Sequence, residues 1–391
     1  MTPAVREGRP GLSFAWRLSA FYAAVFLVAG TKLPFLPIWL EWRGLTLAQI
    51  SIVTAAPLFA RIVVTPAIAF AADRWGEHRK MLIVLAWAAL AVLVLLTQAH
   101  GFPAILGLTL LIAVAWTTIM PLAETVAMGG VRAQGLDYGR MRLWGSLSFI
   151  AASFAGGWAI VAFGPAVAVW LMVAGAAGTL AAAYILPASS SPDAAAKARP
   201  SVTRAEIVAL VMSGRFVVFL FAVGLTQAAH AVFYTFGTVH WKAQGISAGW
   251  AGVLWAIGVS VEIGLFAFSG AVVRTCGPAL LIAAGALAGV VRWSAMAFDP
   301  PLAALMMLQA LHGLTYGATH IGAVHYISAS VPPALAGTAQ ALYASVTAGI
   351  AMGLATLLAG QVYGASGALA YLAMAGLSLA GLVAGLLLLR K

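Results

Sequence analysis

Charged residues are scarce in this sequence. Of its 391 residues only 8% are charged, whereas 63% are hydrophobic, and the mean hydropathy is +1.01. A soluble domain carries about 25% charged residues to cover its surface. The composition therefore excludes a soluble protein with a large catalytic domain, and it implies that lipid surrounds most of the chain.

Asparagine is absent, and Cys276 is the only cysteine. The chain thus has no N-glycosylation acceptor, no internal disulfide and no Cys/His metal spacing. Its net charge of +11 is not gathered in a basic stripe interleaved with aromatic residues, so nucleic acid is not indicated as a partner. We expect neither a metal nor a cofactor.

Long apolar runs fill the rest of the chain. A membrane-spanning helix needs about 20 apolar residues, and the alternating pattern of a β-barrel is missing. The apolar stretch after the basic N-terminus has no convincing cleavage site and is interpreted as an uncleaved first span. The sequence therefore predicts an all-α membrane protein with twelve spans, numbered in chain order: 14–39, 46–72, 80–99, 102–129, 139–163, 166–186, 214–240, 248–273, 278–298, 301–329, 334–362 and 367–389.

The chain divides into two halves. Its longest polar interruption is rich in Pro, Ser, Ala and basic residues, as flexible linkers are, so we predict six-helix bundles over 1–186 and 214–391 joined by a linker over 187–213. The halves also repeat in parallel, and such chains bind solutes between their halves near the membrane midplane. A shift of 201 residues pairs Gly44 with Gly245 and Thr46 with Ser247, and a shift of 203 pairs Gly157 with Gly360 and Gly164 with Gly367.

Basic residues predict the orientation. Sixteen Lys and Arg residues lie at the termini, in the loops between even and odd spans or at the span ends beside them, against only Arg43 and Lys242 on the other side. Because Lys and Arg accumulate in cytoplasmic loops, both termini should be cytoplasmic. We expect a monomer in the cytoplasmic (inner) membrane of a bacterium.

One loop carries a family signature. Residues 69–80, AFAADRWGEHRK, resemble the signature G-x-x-x-D-R-x-G-R-[RK] between spans 2 and 3 of the major facilitator superfamily, although Ala69 replaces the first glycine and Glu77 a basic residue. The resemblance implies a transporter fold of two six-helix bundles. It gives Asp73 and Arg74 a gating or structural role, and a simple topology anchor is the alternative.

Ionisable residues inside the spans are candidate functional groups, because each costs roughly 2.5–3.5 kcal/mol at a helix centre. Glu124 and Arg142 lie eighteen residues apart, and Phe149 follows seven residues later. This pattern resembles the lactose permease and related proton symporters, where such an acid and arginine bind the substrate and the aromatic residue stacks on it. The resemblance implies the same roles here, and Trp144 offers a second stacking face.

The second half contains a matching coupling set. In the same permeases a Glu of span 8, an Arg of span 9 and a His of span 10 couple transport to protons, and Glu262, Arg292 and His312 resemble them. Thr315 and Gln309 stand where the permease has an acid and a lysine. The resemblance with these departures implies that Glu262 carries the proton, with His312 or His230 as second candidates.

Four segments resemble a smaller group, the 3-phenylpropionate transporter-like family: LDYGRMRLWGS at 136–146, QAAH at 227–230, GVVRW at 289–293 and LHG at 311–313. The resemblance implies that the substrate is an aromatic or other organic acid. Gln227, His230 and Tyr234, a stripe at helical spacing in span 7, are further candidates for substrate binding.

Two cations fall outside these patterns. Lys32 could bind a carboxylate, or it could extend to the outer interface beside Glu41. Arg61 could be a gating residue or part of a structural ion pair, since the 201-residue shift places it on Glu262.

The sequence therefore predicts a secondary transporter that imports an organic acid with protons by alternating access, within a lipid bilayer. A sugar or nucleoside symporter and an exporter are the alternatives. An enzyme is disfavoured because HExxH, GxSxG and P-loop motifs are missing, which also removes ATP as the driver. A non-transporting receptor stays open.

Overall fold

The computed structural model describes residues 10–134, 136–186 and 203–390. Within these ranges the regular structure is entirely helical, including two π-helical segments, Gly313–Ala318 and Ser345–Ala351, and two short 3₁₀ turns. The α-helices are α1 (Pro10–Trp42), α2 (Leu47–Trp75), α3 (His78–Gln98), α4 (Phe102–Trp116), α5 (Ile119–Gln134), α6 (Tyr138–Phe163), α7 (Val167–Ile185), α8 (Arg204–Val211), α9 (Gly214–Ala228), α10 (Ala231–Ala243), α11 (Ala248–Ala267), α12 (Ser269–Cys276), α13 (Pro278–Met296), α14 (Leu302–Ala310), α15 (Thr319–Ser330), α16 (Ala336–Ala344), α17 (Met352–Ser366) and α18 (Ala370–Leu389).

Ten helical stretches of the described ranges are long and apolar enough to cross a membrane. One of them, Pro333–Leu389, holds α16, α17 and α18 and turns at Gly367, whose φ is 57°. The predicted span 301–329, which forms α14, a π-helical segment and α15, is not one of the ten. Twelve spans stay a prediction.

Several predicted spans are interrupted rather than continuous. Predicted span 4 breaks between α4 and α5 at residues 117–118, where Pro121 cannot donate to the carbonyl of Thr117 and its ring crowds that carbonyl. Predicted span 7 breaks between α9 and α10, where Nδ1 of His230 lies 3.1 Å from the carbonyl oxygen of Gln227. An uninterrupted helix would use this carbonyl for the N–H of residue 231.

The predicted linker is only partly described, because residues 187–202 lie outside the described ranges. The C-terminal part of this segment contains a helix, α8. Thr203 caps α8 and Glu206 bonds back to the Thr203 N–H at 2.8 Å. This reciprocal pairing satisfies two N–H groups that a helix start leaves open.

The predicted repeat appears in matching helix starts. Gly44 and Gly245 both have φ of +81°, a left-handed conformation that glycine adopts without a steric penalty. Two residues later Thr46 and Ser247 cap α2 and α11 by accepting a backbone N–H. Equivalent positions thus have the same local structure in the two halves.

We call the face that carries loops 43–46 and 242–247 the loop face, and the opposite face, beside residues 14 and 390, the terminal face. Towards the loop face a single hydrophobic cluster draws on both halves and includes Trp39, Trp241 and Tyr363. Towards the terminal face the clusters are separate: one has buried members between residues 14 and 186, the other between 210 and 388. Within the described ranges, the halves therefore share a core towards the loop face and have separate cores towards the terminal face.

Glycines let the halves approach closely. A Cβ on Gly252 of α11 would overlap the carbonyl oxygen of Ser153 in α6, and one on Gly157 would overlap that of Ala248. The repeat-related contact joins α17 to α2, where a Cβ on Gly360 would overlap the hydroxyl of Ser51. Small residues permit such backbone proximity between membrane helices.

Candidate functional site between the halves

Arg292 of α13 is fully buried at the centre of a polar network. Its Nη1 donates to Oγ1 of Thr315 at 3.0 Å and to Nδ1 of His312 at 3.2 Å. Its Nη2 donates to Oε1 of Gln309 at 2.6 Å. The residues that depart from the permease pattern, Gln309 and Thr315, are therefore neutral partners of this arginine.

The charge of Arg292 has no anionic partner nearby. Among the described residues no carboxylate lies within 4.0 Å of its guanidinium, which instead rests on the rings of Phe233 and Trp293 at 4.9 and 4.5 Å from their centroids. Its Nε has no hydrogen-bond partner within the described part of the chain. A buried cation without a full set of hydrogen bonds destabilises the protein. Binding of an anion, or a rearrangement of the hydrogen bonds around Arg292, would reduce that cost.

His312 connects Arg292 to Glu262. A guanidinium can only donate, so Nδ1 of His312 must accept, and its Nε2 carries the proton of a neutral imidazole. That Nε2 lies 3.5 Å from Oε2 of Glu262 in α11. The predicted coupling residues do meet, but Glu262 reaches Arg292 through the histidine rather than directly.

The same reasoning orients His230. Its Nδ1 faces the carbonyl oxygen of Gln227 at 3.1 Å and must donate, so its Nε2 accepts from the hydroxyl of Thr315 at 3.0 Å. A directed chain of hydrogen bonds therefore runs from Arg292 through Thr315 and His230 to the α9 backbone. His230 is a buried member of this network, and Gln227 is also buried.

Tyr316 is a site residue that sequence reasoning missed. Its ring stacks on His312 at 5.4 Å and on His320 at 6.0 Å, with interplanar angles of 12° and 13°. The spacing of 312, 316 and 320, one ring every four residues, was the available signal. Tyr316 and Thr315 lie in the π-helical segment Gly313–Ala318, a feature frequent at functional sites.

Glu124 and Arg142, both predicted to bind the substrate, do not pair with each other. Among the described residues no ion pair within 4.0 Å joins them. Oε1 of Glu124 accepts from the hydroxyl of Tyr138 at 3.2 Å, whereas the guanidinium of Arg142 lies over the ring of Phe26 at 4.1 Å.

The two aromatic candidates on α6 differ in placement. Phe149 is buried in the shared cluster, close to Gly30 of α1. Trp144 is 56% exposed and lies about 200° around the helix from Arg142. Trp144 therefore does not share the face of Arg142, because two residues along a helix do not point the same way.

Lys32 lines a cavity of about 160 Å³ between the halves. The first half contributes Lys32 and Thr54 to its wall, and the second half contributes Tyr234 and Met352. The alternative position of Lys32, beside Glu41, is not observed, because Glu41 forms a 2.8 Å ion pair with Lys242. Tyr234, predicted from span 7, thus lies at this cavity.

Of the remaining candidates, Arg61 and Arg74 are exposed at the protein surface. Arg61 is exposed on α2, and among the described residues no carboxylate lies within 4.0 Å of it, so the alternative of a structural ion pair is not seen there. Arg74 is exposed in the last turn of α2, before the left-handed cap Gly76. The side chain of Asp73 lies outside the described part of the structure.

Comparisons with known proteins agree with the motifs. Residues 15–373 match the MFS_1 like family. The chain is 31% identical over 350 residues to the probable 3-phenylpropionic acid transporter of Escherichia coli (strain K12), covering 88% of this chain and 90% of that protein. It is 27% identical over 368 residues to the maltose permease of Geobacillus stearothermophilus, covering 90% of each.

The fold resembles that of solved transporters. A crystal structure of a variant of the nucleoside transporter NupG aligns with a TM-score of 0.86 at 18% identity, and the alignment covers 96% of this chain and 100% of that one. At such low identity this similarity concerns the fold alone. The family match over residues 15–373 and the 31% identity to the probable 3-phenylpropionic acid transporter confirm the family resemblance drawn from the motifs.

Proposed function

Because this chain belongs to the MFS_1 like family of the major facilitator superfamily, whose members are transporters and not enzymes, we propose that it imports a small organic acid together with a proton. Transport would proceed by alternating access between two six-helix halves, 1–186 and 214–391, with twelve spans. The observation that carries this proposal is the asymmetry of the core, which is shared between the halves at the loop face and separate towards the terminal face.

The loop face has the features of a closed gate. Glu41 at the end of α1 and Lys242 at the end of α10 form a 2.8 Å ion pair between the halves. The glycine contacts of α6 with α11 and of α2 with α17 support the same closure. With the basic terminal face in the cytoplasm, the arrangement is that of a transporter closed to the outside.

Glu262 is the proposed proton carrier. Its carboxylate belongs to α11, the helix that crosses α6 of the first half, and His312 lies 3.5 Å away. The ionised carboxylate attracts a donor N–H such as that of His312 more strongly than the neutral acid does. Loss or gain of a proton at Glu262 would therefore change the contacts that α11 makes with both halves, including the His312 link to Arg292.

An organic acid is favoured over a neutral solute. Lys32, Arg61, Arg142 and Arg292 outnumber Glu124 and Glu262 in the predicted spans. The similarity to the probable 3-phenylpropionic acid transporter supports an aromatic acid. Substrate contacts are proposed for Arg142, Glu124 and Phe149 in the first half, and for Gln227, His230 and Tyr234 in the second.

A sugar is the second candidate substrate, because the chain is also 27% identical to a maltose permease. Hydroxyl groups near the cavity, such as those of Thr54, Tyr234 and Thr356, could bond to a sugar. Such a solute would leave the cations of the site without an anionic partner, which is why it ranks second.

Uptake into proteoliposomes tests the function. We expect saturable uptake of labelled 3-phenylpropionate driven by an acidic exterior and collapsed by a protonophore. Protein-free vesicles are the essential control, since the protonated acid crosses lipid unaided. Entry no faster than in those vesicles, together with accumulation of maltose or uridine, would replace the organic acid by the second candidate. Reversing the gradient distinguishes import from export.

A further inference from the structure

The cavity between the halves has a simple chemistry. Its volume of about 160 Å³ is smaller than the roughly 300–1,000 Å³ of pockets for drug-sized ligands. Leu36, Ile112, Met172 and Met352 give it an apolar wall, and among its described lining residues Lys32 alone is charged. A pocket of this kind suits a small apolar body with one anionic group.

Lys32 is not neutralised by the protein. Among the described residues no carboxylate lies within 4.0 Å of its Nζ, and Glu41 is engaged by Lys242. A second cation, Arg61, lies on α2, the helix that contributes Leu58 to the wall of the same cavity. Two like charges without an acid between them destabilise each other, and an anion would offset both.

Arg61 is placed to share that anion. Thr54, Pro57 and Leu58 of α2 line the cavity, and residue 61 continues the same helical face by one turn, three residues beyond Leu58. Arg61 therefore lies just past the end of the cavity that points towards the terminal face. A ligand that enters from that face meets Arg61 before it reaches Lys32.

We propose that Lys32 and Arg61 together bind the carboxylate of the transported solute, whose apolar body fills the cavity against Met172 and Met352. The ligand class is thus an apolar monocarboxylate. This inference rests on the proposed function and adds the position of the anion. In this proposal the carboxylate does not bind to Arg142, because the rings of Phe26 and Tyr22 cover that guanidinium at 4.1 and 5.6 Å from their centroids.

Binding of 3-phenylpropionate and of its neutral amide to the purified full-length protein tests the proposal by calorimetry. The wild-type protein should prefer the acid about 10- to 100-fold, as charge-assisted hydrogen bonds do. Lys32→Gln should remove this preference by weakening acid binding and sparing the amide, and Arg61→Gln should reduce it. Lys32→Arg, which keeps the charge, should retain it.

Lys80→Gln is the matched control, because Lys80 is an exposed lysine paired with Glu77 at 2.6 Å, and it should bind like the wild type. If Lys32→Gln and Arg61→Gln both keep the acid preference, the site is wrong while the organic-acid function stands. If the wild-type protein binds neither the acid nor the amide but binds maltose, the proposed substrate class fails and the anion site with it.

Discussion

Glu262 and His312 lie opposite each other on two helices of the second half, with Oε2 of the carboxylate 3.5 Å from Nε2 of the imidazole. The other nitrogen of the same ring accepts from Arg292 at 3.2 Å. One neutral imidazole therefore joins the carboxylate to the buried cation. This link gives the proposed proton site a direct effect on the network that includes Thr315.

Replacing Glu262 should separate binding from coupling. Glu262→Gln cannot exchange a proton but retains an oxygen that can accept from His312. We expect accumulation driven by a pH gradient to fall to the level of protein-free vesicles, while the dissociation constant for 3-phenylpropionate changes less than about threefold, under 1 kcal/mol. The measurements are gradient-driven uptake and calorimetry.

Glu206→Gln is the control for that experiment, because Glu206 is exposed in α8 and bonds only to Thr203 in the described structure. It should accumulate solute normally. Persistent pH-driven uptake by Glu262→Gln would remove Glu262 from the proton pathway.

Arg292→Lys should destabilise the protein although it keeps the charge. An ammonium group cannot reproduce the fork that reaches Gln309 and Thr315 together. Leaving one of these buried groups unsatisfied costs about 1–3 kcal/mol, which thermal unfolding in detergent should detect. Arg140→Lys, at an exposed arginine 3.5 Å from Asp137, should unfold at the wild-type temperature. Equal melting of all three proteins would contradict the buried network.

Gly252→Ala should open the loop face. Its Cβ would overlap the Ser153 carbonyl oxygen of α6, and such overpacking costs typically about 1–3 kcal/mol only while the halves are closed there. We expect faster labelling of Thr54→Cys, in a Cys276→Ser background, by an impermeant thiol reagent added from the loop side.

Gly264→Ala serves as the control in the same helix, because no heavy atom lies within 4 Å of its added Cβ. Labelling at the wild-type rate is expected for it. If Gly252→Ala also labels at that rate, the crossing of α6 and α11 is not part of the gate.

The ion pair between Glu41 and Lys242 should respond to charge reversal. Lys242→Glu places two carboxylates together across the gate and should slow transport, whereas adding Glu41→Lys should restore it. The effect of an exposed pair is modest, about 0–1 kcal/mol, so initial uptake rates should change roughly fivefold at most. A double variant no faster than Lys242→Glu alone would show that the pair does not latch the halves.

Much of the helix framework follows from local sequence. Thr46 and Ser247 begin α2 and α11 as predicted from the repeat, because capping depends on the residue and its near neighbours. The interruptions within the spans cannot be predicted from local sequence in the same way. The break at His230 depends on a ring that bonds simultaneously to Gln227 and to Thr315, 85 residues away.

The sequence predicts which residues belong to the candidate site, but it does not predict which of them contact each other. Glu262, Arg292 and His312 do come together, yet the carboxylate contacts the histidine. Glu124 and Arg142 have the spacing of the permease pattern, but Glu124 accepts a hydrogen bond from Tyr138 and Arg142 lies over the ring of Phe26. Spacing along two helices does not specify how each helix is rotated about its axis.

The amino-acid sequence alone places this chain in a membrane, and it predicts that the halves repeat and that the few charges inside the spans are functional. These conclusions depend on composition and segment length, because the cost of moving each segment from water into the bilayer is largely local. The tertiary structure was needed to show that the halves share a core at the loop face and that Lys32 lines a cavity while Glu41 pairs with Lys242. These contacts arise from the packing of helices distant in the chain, where small residues such as Gly252 allow close approach.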